Sequence, residues 1–267
     1  MTDQTPPPGD QPPTAPPPAF PPPADGGQPS GSGPYSAPEA ISYGWARFSK
    51  SPATLLVPVL IVLVVMIVLE VIVQLVLRAS LLGTHDCGTT TVFGQTVTQT
   101  CGPSFIATLF GAAIAGFVVS LIAQVLGAGL IKCGLDVADG KQPSAGEVFA
   151  YVSHSNVIVA GLLVSVATFI GTLLCYVPGL IVGFLLMFTM FFVVDKNLAP
   201  MDAVKASVHF TTSHLGETVL FYVLSAVCLI IGAILCGIGL LAAIPVVLVG
   251  AAYTFRRLHD EPVAPAA

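Results

Sequence analysis

The chain has 267 residues, of which 54% are hydrophobic and only 9% charged. A soluble domain carries about 25% charged residues, so a fold kept in water would lack the means to cover its surface; the mean hydropathy of +0.88 agrees. With a net charge of −5 the chain also lacks the basic footprint that nucleic-acid binding requires.

Residues 1–38 hold 14 of the 23 prolines, in runs such as Pro6-Pro7-Pro8 and Pro16-Pro17-Pro18. Proline fixes φ and removes an N–H, so neither helix nor central strand is expected here. Few large apolar side chains are present to offset ordering entropy, which predicts a disordered, partly polyproline-II tail. PxxP spacings such as Pro13 to Pro16 could dock an aromatic groove, although a tract this rich in proline contains them by composition alone. The first long apolar run begins after residue 50 and no basic n-region precedes it, so an uncleaved anchor is expected rather than a signal peptide.

Six apolar segments follow, at about 53–77, 105–131, 155–176, 178–194, 216–236 and 238–255. A bilayer core takes about 20 helical residues, and in lipid the backbone must satisfy itself, so an all-α integral membrane domain is expected over residues 39–258. Arg47, Lys50, Lys132, Lys141, Lys196, Lys205, Arg256 and Arg257 fall on one side of six threaded spans, and Arg78 falls on the other. That bias places both termini in the cytoplasm of a cell-membrane protein, residues 259–267 forming a second short tail.

The spans form three hairpins of similar spacing. Ser153-His154 and Ser213-His214 each open a span, Gly171 to Cys175 and Gly232 to Cys236 each close one, and Ser49-Lys50 stands in the equivalent first place. Short segments beginning at Pro38, Pro143 and Pro200 precede the hairpins, each with an acid soon after, as suits the start of a helix. Ile41, Trp45 and Phe48 mark one apolar face; Val148, Tyr151 and Val152 mark another. The expected unit is a short interfacial amphipathic helix followed by a transmembrane hairpin, used three times, in contact with membrane lipids.

Residues Ile41-Ser42-Tyr43-Gly44-Trp45-Ala46-Arg47-Phe48 and the ending Ala252-Tyr253-Thr254-Phe255-Arg256-Arg257-Leu258 carry a family resemblance. The arrangement is similar to actinobacterial proline- and glycine-rich multipass membrane proteins of unknown function. More loosely, it looks like the membrane domain associated with glycerophosphodiester phosphodiesterases, although no soluble catalytic domain accompanies these helices. The resemblance implies an architecture and carries no chemistry.

The external loop, 78–104, contains Cys87 and Cys101 around a run in which threonine and valine alternate. A β-hairpin turning in a three-residue loop at Gly94 would set these cysteines face to face. A disulfide there, in an oxidising compartment, closes a loop of about 15 residues and is worth about 3 kcal/mol. His85, Asp86 and Cys87 lack a fourth ligand and CxxC spacing, so a disulfide accounts for the cysteines better than a metal. Cys175 and Cys236 could form a second bridge, and Cys133 and Cys228 read as small packing residues.

Glu70 is the one acid well inside a span, and Gln74 and Arg78 follow it at i+4 steps. Such a polar stripe is expected to face other helices, with Ser120 or Gln124 as partners, or else to form a site for protons or a polar substrate. Small residues four apart (Ala112 and Gly116, Ala123 and Gly127, Gly179 and Gly183) would permit close helix approach. Phosphate-binding loops, HExxH and serine elbow motifs are absent, so no catalytic residue, metal or cofactor is expected. His154 and His214 read as interfacial helix starts. Two functions remain: a scaffold or assembly factor whose tail binds a cytoplasmic protein, and a small transporter or lipid-handling protein built around Glu70.

Overall fold

The structure, a computed structural model, describes residues 34–81, 85–92, 95–101, 105–144, 146–174, 176–235 and 237–265. Helices α1 (Ala37–Lys50) and α2 (Pro52–Leu81) lead to a hairpin of β1 (His85–Val92) and β2 (Gln95–Cys101). Helix α3 (Phe105–Ala138) and the single turn α4 (Glu147–Ala150) come next, then α5 (Ser155–Leu174), α6 (Tyr176–Leu185) and α7 (Thr189–Lys196). Helices α8 (Pro200–Ser213), α9 (Leu215–Ile234) and α10 (Ile238–Arg257) complete the order. Six stretches are long and apolar enough to cross a membrane: Pro52–Ala79, Phe110–Ala138, Ser155–Leu174, Val177–Lys196, Leu215–Ile234 and Leu240–Arg257. The architecture is that of a multi-pass, predominantly helical membrane protein.

The second span outruns its expected end at 131. Lys132 donates to Asp136 one turn on, at 2.7 Å, and this pair carries the helix to Ala138. The fourth span, expected to be continuous, is broken between α6 and α7. A regular helix would bond the amide of residue 189 to the carbonyl of 185. Instead the Thr189 amide donates to Leu186 at 3.0 Å, and Ser207 of α8 donates its hydroxyl to the freed Leu185 carbonyl at 2.8 Å. A backbone break at membrane depth persists where another part of the protein satisfies it, and Ser207 is fully buried in that role.

The three preceding segments differ in length: α1 and α8 are full helices with proline in the first turn, whereas α4 is one turn. Helix α1 packs chiefly through its small residues, with Ile41 and Phe48 half-buried against the core. Ala37, Ala40, Tyr43 and Gly44 are buried, and Trp45 is 58% exposed. The small residues win because α1 lies hard against α10. A Cβ on Gly44 would collide with the Val246 carbonyl, and one on Gly250 would meet the Ala40 carbonyl at 3.0 Å. The hairpins close by a similar device, Gly171 against Gly179 and Gly232 against Gly239. By contrast, a Cβ on Gly116, Gly127 or Gly183 would meet nothing within 4 Å, so of the expected small-residue pairs only Gly179 makes a close approach.

The expected hairpin forms, with a register that differs from the expected one. Val92 pairs with Gln95, leaving two residues between the strands instead of three, and Cys101 pairs with His85. Cys87 falls at an irregularity between Asp86 and Gly88 and has no partner in the register. The expected face-to-face placement of Cys87 and Cys101 is therefore replaced by an offset; their side chains lie outside the described residues, and no disulfide is found among those described. Cys175, Cys236 and tail residues 1–33 also lie outside them. Cys133 is buried beside Val59, Leu130 and Val148, in keeping with a packing role.

The seating of α1 yields a contrast. Gly44→Leu forces α1 off α10 at an overpacking cost of roughly 1–3 kcal/mol, lowering the Tm of the detergent-solubilised protein. Gly116→Ala, where space is open, leaves Tm unchanged or slightly raised in the same measurement.

Candidate functional site

Chemistry-bearing side chains gather at the end of the bundle where both termini of the domain lie. Asp195 falls in the last turn of α7, and Asp139 follows the end of α3. Carboxylates at helix C-termini oppose the macrodipole, so both need a cation. Arg256, in the last turn of α10, supplies it. Its Nη1 and Nη2 donate to Asp195 at 2.8 and 2.7 Å; its Nε and Nη2 donate to Asp139, each at 3.1 Å. Nη1 also reaches Glu261 at 2.5 Å. All three guanidinium nitrogens are engaged, and the Asp195 pair is bidentate, the strong form of this interaction.

Lys196 extends the network to Glu261 and, at 3.2 Å, to Asp195. Burial alone would raise the Glu261 carboxyl, but its bonds to Lys196 and Arg256 prevail and hold it below the usual carboxylate range. The ion pairs of Glu261 therefore persist wherever ordinary carboxylates are ionised. Above them lies an aromatic plug: Phe188, Phe191, Phe192, Phe210 and Phe255 are buried together, and the His259 ring stacks on Phe210 at 4.6 Å.

Helix α1 is tied to the same place. Tyr253 of α10 donates to Glu39 at 2.8 Å, and the Tyr35 and Thr254 hydroxyls bond at 2.9 Å. Burial, with the carboxylates of Glu217 and Glu39 nearby, outweighs the Thr254 bond and pushes the Tyr35 phenol up to about 12. Tyr35, inside the stretch 1–38 expected to be a tail, is thus bonded to the bundle. The C-terminal residues complete the clasp as a strap: the Ala264 amide donates to the Ala138 carbonyl at 2.8 Å, and Tyr43 donates to the Ala264 carbonyl at 2.9 Å. Burial raises the Tyr43 phenol as well, against the pull of Arg47.

The expected intramembrane stripe is only partly assembled. Gln74 donates to Glu70 at 2.9 Å, but both side chains are exposed, facing away from the other helices. Arg78 is exposed one turn further. Ser120, an expected partner, instead lies 3.4 Å from Ser165 of α5. His154 and His214 each donate Nδ1–H to the carbonyl four residues back, Ala150 at 3.0 Å and Phe210 at 3.2 Å. A largely apolar groove of about 620 Å³ runs between α1, α9 and α10, lined among others by Ile41, Trp45, Cys228, Leu235 and Ala243. Among the described residues no group of three His, Cys, Asp or Glu is placed to hold a metal ion.

In the sequence Arg256 orients the spans and belongs to the closing stretch that carries the resemblance, whereas Asp139, Asp195 and Glu261 do not stand out. Their signal was the presence of acids at two span ends on the lysine- and arginine-rich side, where unpaired carboxylates are unfavourable. Arg256→Gln strands Asp195 and Asp139 and is expected to cost about 3–5 kcal/mol, the range for breaking a buried pair. Lys141→Ala, at a largely exposed pair of 3.8 Å, costs less than about 1 kcal/mol. Thermal unfolding of the two variants in one detergent measures the difference.

No family model and no solved structure matches the chain. Relatives are found in mycobacteria. The uncharacterized protein Rv2560 of Mycobacterium tuberculosis is 35% identical over 237 residues, covering 87% of this chain and 71% of its own. The uncharacterized protein Mb2590 of Mycobacterium bovis is 35% identical over the same extent, and MT2637 of a second M. tuberculosis strain is 36% identical. With a third of positions shared across most of both chains, this protein belongs to the family of those mycobacterial proteins.

Proposed function

We propose that the protein is a non-enzymatic scaffold or assembly factor of the cell membrane, with both termini in the cytoplasm. The Arg256 clasp carries this reading. It joins the ends of α3, α7 and α10 to the C-terminal strap, and α1 is anchored beside it through Glu39 and Tyr35. The proline-rich tail is thereby attached to a fixed root. A tail of that composition can reach a cytoplasmic protein by polyproline recognition while its base stays in place. The carboxylates of the clasp are engaged with cations, which supports a structural role over acid–base chemistry. The eight basic residues read as lying on this side support the orientation. Proximity labelling in cells tests the proposal: deletion of residues 2–33 should leave the protein in the membrane but remove a defined subset of labelled partners. An unchanged partner set would refute a recruiting tail.

A second reading, lipid handling, draws on the groove between α1, α9 and α10. Its lining is largely aliphatic, and Trp45 stands at its edge on the interfacial helix. Acyl chains suit such a surface. Glu70 lies outside this groove, so the reading does not depend on that residue. Cys228→Trp, which fills the groove, should abolish retention of a lipid seen by native mass spectrometry of the wild-type protein. Equal lipid retention by both would remove the groove from consideration.

A further inference from the structure

Helix α2 is the least covered of the six spans, packing chiefly on α3 with smaller contacts to α10 and α1. Its outward surface is aliphatic, with Ile67, Val68, Val71, Ile72 and Leu75 all exposed. Glu70 and Gln74 interrupt it. A carboxyl facing lipid is costly, and intramembrane acids are found facing protein or water. Within the chain, among the described residues, the hydrogen-bond partner of Glu70 is Gln74. That bond uses one carboxyl oxygen and one amide N–H, leaving the second oxygen and the second N–H.

From this geometry we infer that α2 is a self-association face: two copies pair about a twofold axis along the membrane normal, through Glu70 and Gln74. The donor and acceptor inventory makes the face complementary to itself. Copies inserted the same way have parallel α2 helices, so the Glu70–Gln74 pair of one meets the same pair of the other at the same depth. Each glutamine donates once within its own helix and once across, and each carboxyl accepts twice. The ring of four bonds closes with no other residue type. Another protein's helix would need to bring its own donor to this depth, whereas a second copy carries it already. The inference stands apart from the role of the tail and from the lipid groove.

Full-length protein in native membranes tests it. A cysteine at Val71 should give a crosslinked homodimer with a short bifunctional reagent, while one at Leu220, exposed on α9, should not. In lipid vesicles, single-molecule photobleaching should show the dimer dissociation constant rising about tenfold in Glu70→Leu, the scale of interhelical hydrogen bonds in membranes. Glu70→Gln, which keeps an acceptor and gains a donor, should stay within about threefold of the wild type. All three proteins should have the same Tm in detergent, where α2 is uncovered. A monomer in vesicles, a Glu70→Leu protein that dimerises as the wild type does, or crosslinking of Val71→Cys to a different protein only would each overturn the inference.

Discussion

Three carboxylates near one membrane boundary cannot stand together without a cation, and Arg256 provides it for all of them. Asp195 sits where the dipole of α7 is negative and Asp139 just beyond the end of α3, so each opposes the helix it ends. Arg256 brings the positive charge from α10 and adds Glu261 from the strap. A lysine could neutralise the charge, but it could not offer a planar fork to Asp195 and a second edge to Asp139 at once. With the ends of α3, α7 and α10 held together, the phenylalanines above them are brought within ring-contact distance, 5.0 Å for Phe188 and Phe210. The opposite halves of the spans carry no comparable network among the described residues; Leu173, Leu174 and Ile234 are exposed there, as lipid-facing positions are. The bundle is tied at one end.

The broken fourth span shows why α8 is more than a surface helix. Its Ser207 hydroxyl takes the place of an amide that the turn between α6 and α7 diverts. The break in turn seats Phe188, fully buried, against Phe210 of the same helix. Backbone satisfaction and aromatic packing thus fix α8 together. The histidines at the junctions before α5 and α9 act locally: Nδ1–H bonds the carbonyl four residues back as one helix ends and the next begins. Between α1 and α2 Ser49 does this work, bonding the Trp45 carbonyl at 2.9 Å. Such junctions stop one helix without leaving its last carbonyls bare.

The existence of the spans was legible because length and apolarity decide it with no reference to neighbours, and the hairpin because threonine and valine alternate. What the sequence did not disclose depends on contact. The close approach of α1 at Gly44 depends on the Val246 carbonyl of α10, which the apolar face of Ile41, Trp45 and Phe48 does not reveal. The break at 186–188 needs Ser207, which lies in another helix. Register in the hairpin turned on a loop of two residues and an irregularity beside Cys87, neither of which alternation can reveal. The Glu70–Gln74 pair was found by spacing, yet its outward direction required knowing which face of α2 meets α3. The clasp was missed because opposite charges far apart in sequence give no local pattern.

Both ends of the folded domain converge on the last turns of α10. Tyr35 and Glu39 meet Thr254 and Tyr253, while the strap returns from Leu258 to join Ala138 and Tyr43. A load on α1 therefore meets α10 first, and α1 cannot move away from α10 without breaking the bond from Tyr253 to the Glu39 carboxylate. A hydrogen bond to a charged carboxylate is among the stronger ones, which stiffens the junction. The tight approach at Gly44 and Gly250 adds van der Waals contact along the same seam, where a gap of even 1 Å forfeits much of the attraction. Polar bonds thus fix where α1 starts, and small residues fix how closely it lies.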